Sequence, residues 1–244
     1  SMTFGTYWIE MQKNVAAVRR VFFFIDYTSE EDSNAKPLAQ VIKGITIDDV
    51  SFSYPDGRQA LANVSLELPL GELVAIVGPT GAGKTTLAYL LPGYVRPTAG
   101  SVLFDDEDVA DVDVDDIRHQ VTYVFQEHML LSVSIRENLL LANPEASEYD
   151  LLEACRTAGA MEFIYQLPDG LVTVVGKSGD TLSVGQKQRV SFARGLGRDT
   201  PIFVLEEPTA SLDPKTENAL MAAVRKEAVG RLVIVIAHRL STIR

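Results

Sequence analysis

Positive charge is scarce in this chain. Its 244 residues hold 22 Lys and Arg against 33 Asp and Glu, a formal net charge of -11. A protein that binds nucleic acid or anionic membrane through its general field needs the opposite sign, so nucleic acid is not expected as a partner. A single anion held by a local nest of backbone N–H groups remains compatible with that charge. Cysteine is nearly absent, and Cys155 alone excludes an internal disulfide and fits a reducing compartment. The three histidines, His119, His128 and His238, stand far apart without metal-ligand spacing. Long apolar runs are also missing. A membrane-spanning helix needs roughly 18 apolar residues, and the most apolar early stretch, Phe4 to Ile25, is broken by Glu10, Lys13, Arg19 and Arg20. That stretch lacks the layout of a secretory signal. These absences lead to the expectation of a soluble cytoplasmic piece. With 46% hydrophobic residues, it can bury a large core.

Residues 6–26 space their apolar positions as a helix does (Trp8, Met11, Val15, Val18, Phe22). A polar run from Tyr27 to Lys36, with Pro37 behind it, reads as a linker, which places a boundary near residue 40. Strand-like runs follow at Ile45 to Phe52, Ala60 to Leu68, Leu73 to Val77, Ser101 to Phe104, Val121 to Phe125, Ile202 to Leu205 and Leu232 to Ile236. The last two are short and unalternating, as strands buried on both faces of a parallel sheet are. Between Glu127 and Arg198 the pattern turns helical, with candidates at Ile135 to Leu141, Asp150 to Ala158 and Val184 to Leu196. The organisation predicts an α/β core with a helical lobe inserted between its strands. The chain stops soon after a strand, at Arg244, so further chain is expected to cover the sheet.

Three motifs carry chemistry. Gly78-Pro79-Thr80-Gly81-Ala82-Gly83-Lys84-Thr85-Thr86 follows the strand Leu73 to Val77 and opens a helix, the context a phosphate-binding P-loop requires. Its glycines let the backbone wrap phosphate oxygens, and the helix start presents free N–H groups to negative charge. Lys84 then reaches the β- and γ-phosphates, and the Thr85 hydroxyl ligates Mg²⁺. Glu206 and Glu207 end the run Pro201 to Leu205 as adjacent carboxylates, one suited to holding Mg²⁺ and the other to acting on an attacking water. Between these two, Leu182-Ser183-Val184-Gly185-Gln186 places a serine at a helix N-cap, a second anion-receiving turn.

In this order the motifs closely resemble the ABC (ATP-binding cassette) ATPase family, whose signature is usually written LSGGQ. The resemblance runs from about residue 44 onward. It implies a P-loop NTPase core with a mainly parallel sheet, an antiparallel β subdomain and an inserted α-helical subdomain over about 127–198, all within 41–244. It further implies that Gln126 is the Q-loop glutamine contacting Mg²⁺ and the attacking water. Tyr54 resembles the aromatic that stacks on adenine, Ser211-Leu212-Asp213 the D-loop, and His238 the switch histidine at the γ-phosphate. Glu207 corresponds to the catalytic glutamate. Two cassettes of this family face each other head to tail around two ATP molecules. Tyr54, Gly78 to Thr86, Gln126, Glu206, Glu207 and His238 would form one half-site, while Ser183, Gly185, Gln186 and Asp213 would act on the partner's ATP.

The sequence departs from the family at two sites that matter. Glu206 stands where Asp is usual, which moves the carboxylate by roughly 1.5 Å, one C–C bond. Lys177, within Thr173 to Gly179, stands where the exporter X-loop normally carries Glu. The residues Asn14 to Phe22 are similar to the cytoplasmic end of an exporter's last transmembrane helix, so 1–26 is assigned to that helix and 27–40 to the linker. The expectation is thus an ATP-hydrolysing motor domain of an exporter at the cytoplasmic face of the membrane. Its partners would be a second cassette and a transmembrane domain of the same polypeptide. Two alternatives are a degenerate, mainly ATP-binding cassette of a heterodimer and a non-transport ABC ATPase.

Overall fold

In the computed structural model, residues 35–209 and 212–237 are described. The chain divides between Ala35 and Lys36, and the architecture below is that of the second part. The helix expected over residues 6–26 lies outside the described residues.

Two sheets organise the fold. The first is antiparallel and built from β1 (Gly44–Ser53), β2 (Gln59–Pro69), β4 (Ala99–Phe104) and β5 (Glu107–Asp108), in the order β2-β1-β4-β5. Its first strand buries Ile45, Ile47, Val50 and Phe52, the near-alternation of a strand with one wet face. The second sheet is parallel and combines β3 (Leu73–Val77), β6 (Val121–Val124), β7 (Ile202–Glu206) and β8 (Leu232–Ala237), in the order β3-β8-β7-β6. Its central strands are apolar at every step before Glu206 because both faces are covered. Phe203, Leu205, Val233 and Val235 join one core with the helical lobe, and Ile202, Val204, Leu232 and Ile234 join another with the antiparallel sheet. Each large apolar side chain so buried contributes roughly 1.5–3 kcal/mol.

Seven helices connect these strands among the described residues: α1 (Lys84–Leu90), α2 (Val114–Gln120), α3 (Ile135–Leu140), α4 (Glu148–Thr157), α5 (Met161–Ile164), α6 (Val184–Leu196) and α7 (Pro214–Glu227). Several starts are written in the local sequence. Ser134 with Glu137, Ser147 with Asp150 and Ser183 with Gln186 form reciprocal capping boxes at α3, α4 and α6. Asp213 caps α7 ahead of Pro214, the favoured residue for a first helical position.

The fold corrects the expected elements in four places. The strand expected to reach Phe125 ends at Val124, and Phe125 is exposed. The helix expected from Asp150 starts two residues earlier, because Ser147 rather than Tyr149 supplies the cap. Helices α2, α5 and α7 were not among the expected helices, nor β5 among the expected strands. Finally, the segment read as linker up to residue 40 is docked at its end. Leu38 N–H donates to Asp116 Oδ2, Val41 N–H donates to Gln120 Oε1, and Gln120 Nε2 donates to the Ala39 carbonyl.

Candidate functional site

The loop between β3 and α1 turns on two glycines with left-handed backbone, Gly81 at φ 82° and Gly83 at φ 86°. A Cβ on Gly83 would lie 2.5 Å from the Ala60 carbonyl of β2, so only glycine lets the antiparallel sheet touch this loop. No side chain caps the start of α1, and no acidic residue occupies its first turn. Lys84 is buried and donates from Nζ to the carbonyls of Gly78 (2.8 Å) and Pro79 (3.0 Å). A buried ammonium bonded only to neutral oxygens, beside free backbone N–H groups, is a place for an anion.

The acidic side of the site is built by strand ends. Glu206 closes β7 and is 6% exposed. Its Oε1 accepts a hydrogen bond from Thr85 Oγ1 at 2.5 Å, and its Oε2 accepts one from the Tyr123 hydroxyl of β6 at 3.3 Å. Burial, and then the Glu206 charge, push the Tyr123 phenol well above its ordinary pKa, so it stays a donor. Among the described residues no cation pairs with Glu206. Thr85, Gln126 and Glu206 all line one cleft of about 830 Å³. No cluster of three His, Cys, Asp or Glu side chains able to hold a metal occurs among the described residues. Thr85 Oγ1 and Glu206 Oε1 are hard oxygen donors side by side, a set that fits Mg²⁺, which takes one or two protein oxygens and completes its shell with phosphate and water.

Glu207, next in the chain, adopts φ 47°, uncommon for a residue other than glycine. Its N–H donates to the Ile236 carbonyl at 2.9 Å, and its own carbonyl accepts from Gln188 Nε2 at 3.3 Å. Tyr54 reaches the P-loop helix directly, its hydroxyl 2.8 Å from Thr86 Oγ1. Its ring stands edge-on to Phe52, with centroids 5.0 Å apart, and the Arg58 guanidinium lies 4.6 Å from its centre.

The structure thus gathers Tyr54, the P-loop, Gln126 and the two glutamates around adjoining strand ends. Ser183, Gly185 and Gln186 form a separate helix start. The Ser183 oxygen accepts from Gln186 N–H at 3.3 Å, leaving the hydroxyl proton free to donate outward. Asp213 caps α7, bonded to Lys215 and Thr216. His238 and Ser211 lie outside the described residues. The segment Thr173 to Gly179 is pinned to α3 and the loop before it by Ile135 N–H to Thr173 O and Val175 N–H to Val133 O, with Lys177 exposed beyond it. Sequence reasoning missed Tyr123 and Gln188. Tyr123 looks like any aromatic in a strand, and nothing local reveals that the partner of Gln188 is 19 residues away.

The family model described as ABC transporter matches residues 61–210, which include the P-loop and both glutamates. This chain belongs to the ABC transporter family. The cassette is 42% identical over 234 residues to an ATP-dependent lipid A-core flippase of Chromobacterium violaceum, covering 96% of this chain and 40% of that protein. It is 40% identical over 236 residues to the flippase of the same name from Syntrophus aciditrophicus, covering 96% and 39%. Among solved structures it superposes with a TM-score of 0.90 on a bacterial Atm1-family ABC exporter with ATP bound, at 36% identity, covering 98% of this chain and 42% of that one. The chain spans about 40% of the length of the curated relatives it matches. No helix among its described residues is long and apolar enough to cross a membrane.

Proposed function

We propose that this chain is the ATP-hydrolysing motor domain of an ABC exporter, working at the cytoplasmic face of a membrane. The observation that carries this reading is the 2.5 Å hydrogen bond from Thr85 to Glu206. It brings the P-loop and the strand-end acid to one point beside a buried lysine that has no anionic partner among the described residues. That the similar proteins are named lipid A-core flippases and an ABC exporter, and that this chain covers some two-fifths of them, supports a transmembrane domain on the same polypeptide. The apolar part of the lining of the cleft beside Gln126, exposed at Phe125, Met129, Leu131 and Leu141, suits contact with that domain, while Thr85, Gln126 and Glu206 form its polar part.

In this reading the loop Gly78 to Thr86 wraps the phosphates, and Lys84 neutralises charge on the transferring group. The Tyr54 ring receives the adenine. Thr85, Gln126 and Glu206 would hold Mg²⁺, which would supply positive charge to stabilise the phosphate oxygens. Glu207 orients the attacking water and takes its proton. Ser183, Gly185, Gln186 and Asp213 serve the ATP on the facing cassette, and His238 contacts the γ-phosphate. Thr85 and Tyr123 give the longer Glu206 a donor on each oxygen, so Glu in place of the usual Asp is accommodated. The test is steady-state ATP turnover of the chain and of Glu207→Gln. Turnover is expected to fall about 10²-fold or more while ATP binding persists. Unchanged turnover would sink the assignment.

A further inference from the structure

One buried polar side chain in this cassette has a bonding pattern that packing does not account for. Gln188 sits on α6, little more than a turn past the Ser183 cap, and is 1% exposed. Its Nε2 donates to the main-chain carbonyl of Glu207, while its Oε1 is buried with no hydrogen-bond partner among the described residues. An apolar side chain of similar length would fill the same space without leaving an acceptor unmade, so shape alone does not call for glutamine here. The residue it holds is strained. Glu207 has φ 47°, and its N–H is tied to Ile236 on β8. One bond fixes the peptide plane before Glu207 and the other fixes the plane after it. Together they set the direction of its Cα–Cβ bond, and so the aim of its carboxylate.

We infer that Gln188 is a positioning residue that ties the orientation of Glu207 to helix α6. The helix whose start, Ser183 to Gln186, meets the nucleotide of the facing cassette thereby also aims the acid of its own half-site. A shift of α6 when its start is engaged moves the Glu207 carbonyl with it, which links the two half-sites through one side chain. This rests on the proposed role of Glu207 and adds to it the residue that controls that role.

The experiment uses the 244-residue chain with ATP and Mg²⁺ and compares Gln188→Met, Gln188→Glu and Glu207→Gln. Gln188→Met keeps size and removes the donor, while Gln188→Glu keeps size and polarity and sets a carboxylate against the carbonyl. For both, kcat is expected to fall by about 10- to 100-fold, the loss a misaimed group produces. KM and the Kd of a fluorescent ATP analogue should stay within about twofold, because binding is left intact. The thermal midpoint of Gln188→Met should change little, since the unmade Oε1 acceptor is removed while the Glu207 carbonyl loses its donor. In the Glu207→Gln background, Gln188→Met should cost no further turnover. If Glu207→Gln loses turnover while either Gln188 variant keeps its kcat, the inference is wrong and the role of Glu207 stands. A kcat loss that comes with a matching loss of midpoint and of nucleotide affinity marks a merely structural residue and also overturns it. Unchanged turnover in Glu207→Gln removes the reading underneath.

Discussion

Replacing Gly195 with alanine sets two physical effects of opposite sign against each other. Gly195 lies inside α6, where helix propensity alone makes alanine better by about 1 kcal/mol. The structure argues the other way. A Cβ at this position would meet Val124 Cγ2 of β6 at 2.7 Å and Phe203 Cε2 of β7 at 3.0 Å, closer than carbon atoms rest. Phe203 has nowhere to move. Its ring stacks on Phe192 at 5.9 Å between centroids, the Arg231 guanidinium lies 4.7 Å from its centre, and it is fully buried. Overpacking of this kind costs about 1–3 kcal/mol, and the boxed ring places it at the upper end. The net expectation is therefore a destabilisation of about 1–2 kcal/mol after the propensity gain is subtracted. In a domain of this size that lowers Tm by about 2–8 °C. Thermal unfolding followed by circular dichroism without nucleotide measures it. Val124→Ala in the same chain removes the shorter of the two contacts and should relieve much of the clash, giving a coupling of about 0.5 kcal/mol or more between the two changes. A Tm that rises in Gly195→Ala, or additive effects in the double variant, would refute the close approach of α6 to the sheet.

Two further outcomes follow from the capping and titrating groups. Ser183→Ala removes the acceptor for Gln186 N–H, and the urea unfolding curve should show a loss of about 1 kcal/mol, with turnover falling further than stability accounts for. Lowering the pH should weaken the fold in two stages, read from urea midpoints between pH 7.5 and 3. His128 is held below its usual range by burial and then by Arg194, so stability starts to fall as pH drops below its unfolded value of ~6.5. The second stage comes from carboxyls held below their usual range. The Thr216 hydroxyl and N–H depress Asp213, the Ser147 hydroxyl depresses Asp150, and Asp105 is depressed, against the opposing effect of burial, by the N–H groups of Ile42, Gly44 and Lys43. Their contribution is present above an unfolded pKa of ~3.9 and is lost as pH falls through the lower folded values. His128→Gln should abolish the first stage and leave the second; a single stage in both chains would contradict the sign worked out here.

Much of this cassette is legible in its amino-acid sequence. β3 runs from Leu73 to Val77 and α6 from Val184 to Leu196, as their apolar spacing predicts, because each is framed by local signals, a glycine-rich turn in one case and a capping box in the other. The two unalternating strands, β7 and β8, announce burial on both faces, and they are the centre of the parallel sheet. Helices α2 and α7 escaped notice for a physical reason. Val114–Gln120 is short, and Pro214–Glu227 buries only Leu220, Met221 and Val224 of its 14 residues, so neither makes a strong periodic stripe.

The amino-acid sequence by itself determined the chemistry this chain carries: a P-loop between a strand and a helix, two carboxylates at a strand end and a capped signature turn. Those are local patterns, set by a few consecutive side chains and the backbone they dictate. Tertiary structure alone decided how the groups are held. Thr85 and Tyr123 meet on Glu206, and Gln188 meets the Glu207 carbonyl, across separations of 121, 83 and 19 residues. Only the packing of both sheet faces brings such distant positions within hydrogen-bond reach, and no short-range pattern encodes that distance.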